Sequence, residues 1–114
     1  MGRGRPPNSE IRQRIVEILH YLQREYGYNI FKVYSQIFPK VSMRVVYYHL
    51  NKGCELGIFE MEKVSIEGNY SWGNTAEKVF YTLGRKAMAI GVPEVTSYFE
   101  KKALEKHSNQ RNNK

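Results

Sequence analysis

The stretch Val41-Ser-Met-Arg-Val-Val-Tyr-Tyr-His-Leu-Asn-Lys-Gly-Cys-Glu-Leu-Gly-Ile58 reads as a helix that turns sharply into a strand. Ser42 is suited to cap it, because its hydroxyl accepts a hydrogen bond from an N–H that the first turn leaves without an intrahelical partner. At about 100° per residue, Val46, Leu50 and Gly53 share one side, flanked by Met43, Tyr47 and Cys54, while Arg44, Tyr48, Asn51 and Lys52 share the other. Gly57 stands where the helix must stop, since glycine adopts the left-handed cap conformation at little cost. The expected product is a helix over residues 42–56 with a buried stripe and a polar, partly basic outer face.

Upstream, Ile11, Ile15, Ile18, Leu19 and Leu22 recur at helical spacing and predict a first helix from about Ser9 to Glu25, with Gly27 as its stop signal. Asn29 starts a second helix with Ile30, Val33, Tyr34 and Ile37 inward. Phe38-Pro39 ends it, because the residue before a proline disfavours helical geometry. The short turn into residues 42–56 then makes a helix-turn-helix pair. Downstream, Ile58 to Ile66 alternates imperfectly with the period of a strand, which allows a bulge. Lys78–Leu83 reads as the returning strand, with exposed aromatics Tyr70 and Trp72 at the hairpin tip. Arg85–Ile90 is expected to form a short helical turn, and Pro93 to open a last helix over residues 92–107. Residues 1–8 read as a mobile basic arm and residues 108–114 as a disordered tail. The fold class is mainly α with a small β-hairpin (α+β): a winged helix-turn-helix over residues 9–91, with a three-helix core, a two-stranded wing and a C-terminal helix.

The chain has 114 residues, enough for one small domain, and a net charge of +7. The charge is uneven. Residues 1–52 hold nine Lys/Arg against three Glu, residues 53–77 one against five, and residues 78–114 eight against three. Basic segments that coincide with a recognition layout favour an anionic polymer as partner over mere solubility. Neither a secretory signal nor an apolar run of membrane-spanning length is visible, so no membrane partner and a cytoplasmic, nucleoid-associated location are expected. The lone Cys54 excludes an intramolecular disulfide and a multi-cysteine zinc site. His20, His49 and His107 have no metal-spaced companion, and neither a phosphate-cradling glycine loop nor a nucleophile motif occurs. No cofactor and no catalysis are therefore expected. His20 and His49 read as core-edge residues and Cys54 as a small apolar one.

The outer face of residues 42–52 carries the candidate chemistry. A helix fits the major groove of duplex DNA, where each base pair displays a distinct edge, and the N-terminal turns of such a helix reach furthest in. That puts Ser42, Met43, Arg44 and Val45 deepest in the groove, with Tyr48 one turn later and better suited to phosphate. Arg44 matches the O6/N7 edge of guanine, and Met43 or Val45 a thymine methyl. Asn51 lies on the same face. Lys52 suits phosphate, or solvation alone. Tyr47 suits half-buried packing better than a phosphate contact. In the arm, Gly2-Arg3-Gly4-Arg5-Pro6 resembles the core of an AT-hook. Arg3 and Arg5 would enter an A·T minor groove, whose narrowness strengthens its negative potential; a loosely phosphate-binding tail is the alternative. The first wing strand, with Glu60, Glu62 and Glu67, should repel phosphates.

Tyr26-Gly-Tyr-Asn-Ile-Phe-Lys32, Val46-Tyr-Tyr-His-Leu-Asn-Lys52 with Glu55-Leu-Gly-Ile58, and Val79-Phe-Tyr-Thr-Leu-Gly-Arg85 together resemble the winged-helix transcription regulators of the PadR type and their archaeal relatives. The resemblance covers roughly residues 9–90 and implies a double-stranded DNA-binding regulator. Two departures stand out: Gly53 occupies a position where that group usually has a buried leucine, and the last helix is short for their mode of dimerisation. A homodimer is expected through Val95, Tyr98 and Phe99, which need a cover. The alternatives are a winged-helix module that binds RNA or a protein, and a chromatin-like protein that coats DNA without sequence preference.

Overall fold

The turn that ends the quoted helix fixes the course of the rest of the chain. In the computed structural model, which describes residues 9–70 and 73–112, the order is α1 (Ser9–Leu22), β1 (Arg24–Tyr26), α2 (Gly27–Ile37), α3 (Met43–Leu56), β2 (Phe59–Tyr70), β3 (Gly73–Leu83) and α4 (Pro93–Asn112). The protein is an α+β domain of four helices and a three-stranded antiparallel sheet in the order β1-β3-β2. Residues 1–8, including Arg3 and Arg5, lie outside the described residues. So do Trp72 and the side chain of Tyr70 at the hairpin tip.

α3 begins and ends where the sequence predicts. The Ser42 hydroxyl accepts from the Val45 N–H at 3.2 Å, and Gly57 closes the helix at φ 82°. The Ile58 N–H donates to the Gly53 carbonyl at 2.8 Å and the Gly57 N–H to the Cys54 carbonyl at 3.3 Å, the paired bonds of a Schellman cap. Turning the chain this tightly brings Phe59, the first residue of β2, back against α3. Its ring lies where a side chain at position 53 would begin. Phe59 thus fills, from the next element, the volume that a side chain at position 53 would take.

The core gathers Ile15, Val16, Ile18 and Leu19 of α1, Ile30 and Tyr34 of α2, Val46 and Leu50 of α3, Phe59, Tyr81 of β3 and Val95 of α4. α1 packs on both α2 and α3, which in turn pack on each other.

Several expectations change. α1 stops at Leu22, not near Glu25. Gln23 turns out of the helix at φ 71°, its N–H donating to the Leu19 carbonyl at 2.7 Å. Arg24–Tyr26 then pairs with Thr82–Phe80 of β3, so the sheet has three strands where a two-stranded wing was expected. The helical reading lost because the backbone pairs with β3 and the Arg24 and Tyr26 side chains have partners in the sheet. Arg24 lies over the Phe80 ring at 4.0 Å and bonds Glu62 at 3.1 Å, and Tyr26 meets Phe80 edge-on. Gly27 opens α2 instead of stopping α1, with the Tyr47 ring against it. Asn29 is no cap, and its amide donates to Glu25 at 2.8 Å. β3 begins at Gly73, five residues before the predicted start, and the β2–β3 ladder shifts register between Glu67 and Tyr70.

Arg85 and Lys86 form only a turn, and residues 87–92 run without regular structure. Glu17 of α1 holds that strap: its carboxylate accepts from the N–H groups of Ile90 at 2.7 Å and Gly91 at 3.1 Å and from the Gln13 amide at 2.8 Å. Burial pushes the Glu17 carboxyl up, but these donors and the Val92 N–H outweigh it and hold the pKa below the ordinary carboxylate value.

α4 extends to Asn112, past the predicted end at residue 107 and into the segment expected to be disordered. The cover its stripe requires comes from the same chain. Val95 is fully buried in the core, Phe99 stacks on Tyr21 with ring centroids 4.5 Å apart, and the Tyr98 hydroxyl bonds Gln36 of α2. The ground on which those three residues implied a dimer is thereby removed.

Adding a methyl group at Gly53 should drive Phe59 from its seat. Gly53→Ala is expected to destabilise the protein by about 1–3 kcal/mol, read as a lower urea midpoint at unchanged m-value.

Candidate nucleic-acid interface

Three anchors present α3 outward. The Ser42 cap fixes its first turn, Val46, Leu50 and Gly53 bury its inner stripe, and the Gly57 cap fixes its end. With that stripe inward, Met43, Arg44, Tyr48 and Asn51 are exposed, Tyr48 to 51% of its full surface and Met43 to 41%. Arg44 makes no hydrogen bond or ion pair among the described residues, so its guanidinium keeps its full set of donors for a ligand. The Tyr48 and His49 rings meet at a T-shaped angle with centroids 5.0 Å apart.

The other predicted residues stand differently. Ser42 is exposed, but its hydroxyl is engaged in the cap. Val45 is half-buried and offers only part of its side chain. Lys52 is half-buried and pairs with Glu55 at 3.6 Å, one turn along the same helix, so a phosphate would compete with that carboxylate for it. The structure thus brings Met43, Arg44, Tyr48 and Asn51 together on one free face and sets Val45 and Lys52 at its margins.

Behind the face lies an aromatic layer. Tyr47 covers Gly27 and so joins the start of α2 to α3, while Tyr28, next in sequence, is half-exposed with Lys32 over its ring at 5.6 Å. Burial pushes the Tyr47 hydroxyl and the Cys54 thiol above their ordinary pKa values. Burial, then the nearby Cys54 and Tyr47, does the same to Tyr81. All three are neutral packing groups near pH 7, in keeping with the reading of Tyr47 and Cys54 as structural.

His49 is more deeply held than its core-edge reading suggested. It is buried, and the Arg12 guanidinium of α1 donates to its Nδ1 at 3.1 Å, which puts the imidazole proton on Nε2. Burial first, and the Arg12 charge second, lower its pKa below the ordinary 6.5. This cross-brace between α1 and α3 was missed from the sequence, where Arg12 stands 37 residues away and carries no motif.

The β2–β3 hairpin gives phosphate little purchase. Glu60, Glu62 and Glu67 are exposed along β2, Glu62 is neutralised by Arg24, and Lys78 of β3 lies over the Tyr26 ring at 4.3 Å. Among the described residues, no helix is long and apolar enough to cross a membrane, and no group of three or more His, Cys, Asp or Glu could hold a metal. No protein-family model matches the chain, and no curated protein matches it significantly.

The lowered His49 pKa sets a pH dependence. The unfolded chain takes a proton at this imidazole before the folded one does, so the contribution is complete above about pH 6.5 and is lost as pH falls toward the folded pKa. Glu17, also lowered, adds its loss only below about pH 4.5. Urea unfolding at pH 7.5 and 5.5 should show lower stability at 5.5, by at most about 1.4 kcal/mol per pH unit for this group. His49→Gln should flatten that interval.

Proposed function

We propose that this protein is a double-stranded DNA-binding transcription regulator of the winged helix-turn-helix kind, related to the PadR type. α2 and α3 form its helix-turn-helix, β2 and β3 its wing, and β1 adds a third strand to the sheet. The observation that carries the reading is the outer face of α3. An uncommitted arginine, an exposed methionine, a tyrosine and an asparagine stand together on a helix fastened at both ends. Arg44 suits guanine and Asn51 adenine, while Met43 suits a thymine methyl. Tyr48, one turn further along, suits sugar and phosphate.

The basic arm, with Arg3 and Arg5, would follow an adjacent A·T minor groove, as arms do in other helix-turn-helix proteins. Lys52 serves the backbone if phosphate displaces Glu55. The acidic outer strand keeps the wing tilted away from the duplex, so α3 and the arm supply most of the contact. The same exposed β2, with Glu60 and Met61, supports a second reading in which the wing meets a basic protein. That surface is separate from α3, and both readings hold at once if the wing recruits a partner on DNA.

The test is fluorescence anisotropy on duplex DNA, duplex RNA and single strands over a salt series. Duplex DNA should bind tightest, with affinity falling steeply as salt rises. Arg44→Ala should cost about 1–3 kcal/mol on the preferred sequence and much less on random duplex. Lys52→Ala should weaken all duplexes alike and lower the salt slope by up to about one. Equal loss on every sequence for Arg44→Ala, or preference for RNA, would refute the assignment.

A further inference from the structure

Arg12 is a buried cation without a carboxylate. It retains 9% of its exposure, and its one hydrogen-bond partner among the described residues is a neutral imidazole nitrogen, Nδ1 of His49. A buried guanidinium normally meets a carboxylate that repays its desolvation. Glu17, the acid one turn further along α1, spends its oxygens on Gln13, Ile90 and Gly91. Arg12 opens onto a cavity of 150 Å³ that is also lined by Gln13, Val16, Ile58, Lys86 and Met88. Two cations, one amide and three apolar side chains make up that wall, and no acidic residue belongs to it among the described residues. Lys86 is exposed and makes no ion pair among the described residues.

We propose that this cavity, between α1 and the Arg85–Met88 segment, binds a small oxyanion, a carboxylate or phosphate, through Arg12 and Lys86. Water occupies about 30 Å³ per molecule in the liquid, so the volume holds an anion of a few heavy atoms and excludes a polymer. The planar fork of Arg12 suits two oxygens of one anion, and Lys86 adds a point charge at the mouth. Val16 and Ile58 line it with apolar surface, so charges there are screened less than in open water. The occupant would share its guanidinium with His49, so it lies one hydrogen bond from α3. The site does not depend on the DNA-binding proposal and stands or falls separately.

Thermal unfolding and calorimetric titration of the full chain at pH 7.5 test it, comparing sodium phosphate, sodium acetate and sodium chloride at equal ionic strength. Phosphate or acetate should raise the Tm by roughly 5 °C over chloride at tenfold excess over Kd. The more effective of the two identifies the headgroup. Lys86→Ala, at an exposed position, should weaken that binding about tenfold, and Arg12→Lys should weaken it further. In a ¹H–¹⁵N spectrum the His49 imidazole should shift on titration. Arg44→Ala, and saturation with duplex DNA, should leave oxyanion binding intact. The proposal is overturned if neither oxyanion exceeds chloride, if Lys86→Ala binds as the native chain does, or if Arg44→Ala or duplex DNA abolishes the effect.

Discussion

A single close contact, Phe59 seated on Gly53, sets the geometry on which the rest of the molecule relies. The ring can lie there only because position 53 has no side chain, and the chain can return there only because Gly57 takes a left-handed turn. Two further bonds lock the junction from the far strand: the Gly84 N–H donates to the Ile58 carbonyl at 2.7 Å, and the Lys86 N–H to the Gly57 carbonyl at 3.0 Å. The end of α3, the start of β2 and the end of β3 therefore form one rigid corner. A helix fastened to such a corner presents its outer face at a fixed angle to the hairpin, and any surface that must match the shape of a groove requires this.

Electrostatics divides the molecule along the same corner. On the α3 side the exposed groups are cationic or neutral apart from Glu55, which pairs with Lys52. On the β2 side acids prevail, one of them tied to Arg24. Inside, the three buried polar residues, Arg12, Glu17 and His49, serve as fasteners. Glu17 gathers backbone donors of the 87–92 strap, and Arg12 braces His49 across to α3. These bonds stand in for regular structure, since the strap has no ladder of its own to satisfy its N–H groups.

The elements that were legible in the sequence are those whose signals are local. The Ser42 cap, the Gly57 stop, the Phe38-Pro39 break and the Pro93 start each act within a few residues, and all four stand where expected. The buried stripes of α1, α2 and α3 followed from helical spacing. What escaped was decided at a distance. Arg24–Tyr26 looked helical because Leu22 precedes it in step, but its hydrogen bonds go to β3, more than fifty residues on. Gly27 read as a stop because nothing local shows that Tyr47 will lie against it. The α4 stripe looked unpartnered because Tyr21 and Gln36 belong to other helices. Within the candidate site, helical phase sufficed to predict the exposure of Arg44, Tyr48 and Asn51, whereas it put Met43 on the flank of the buried stripe and the structure exposes it. The Lys52–Glu55 pairing and the partial burial of Val45 needed coordinates, as did the Arg12 brace.

The position of β2 has one more consequence. It is the outermost strand of its sheet, twelve residues long, and its free side is a row of backbone groups open to any extended chain. Such margins invite stacking of like molecules into aggregates. Here Glu60, Glu62, Lys63 and Glu67 stand along it, so a second copy approaching in register would have to set acid against acid before one backbone bond could form. The acidity of this strand thus guards the protein against pairing with further copies of itself.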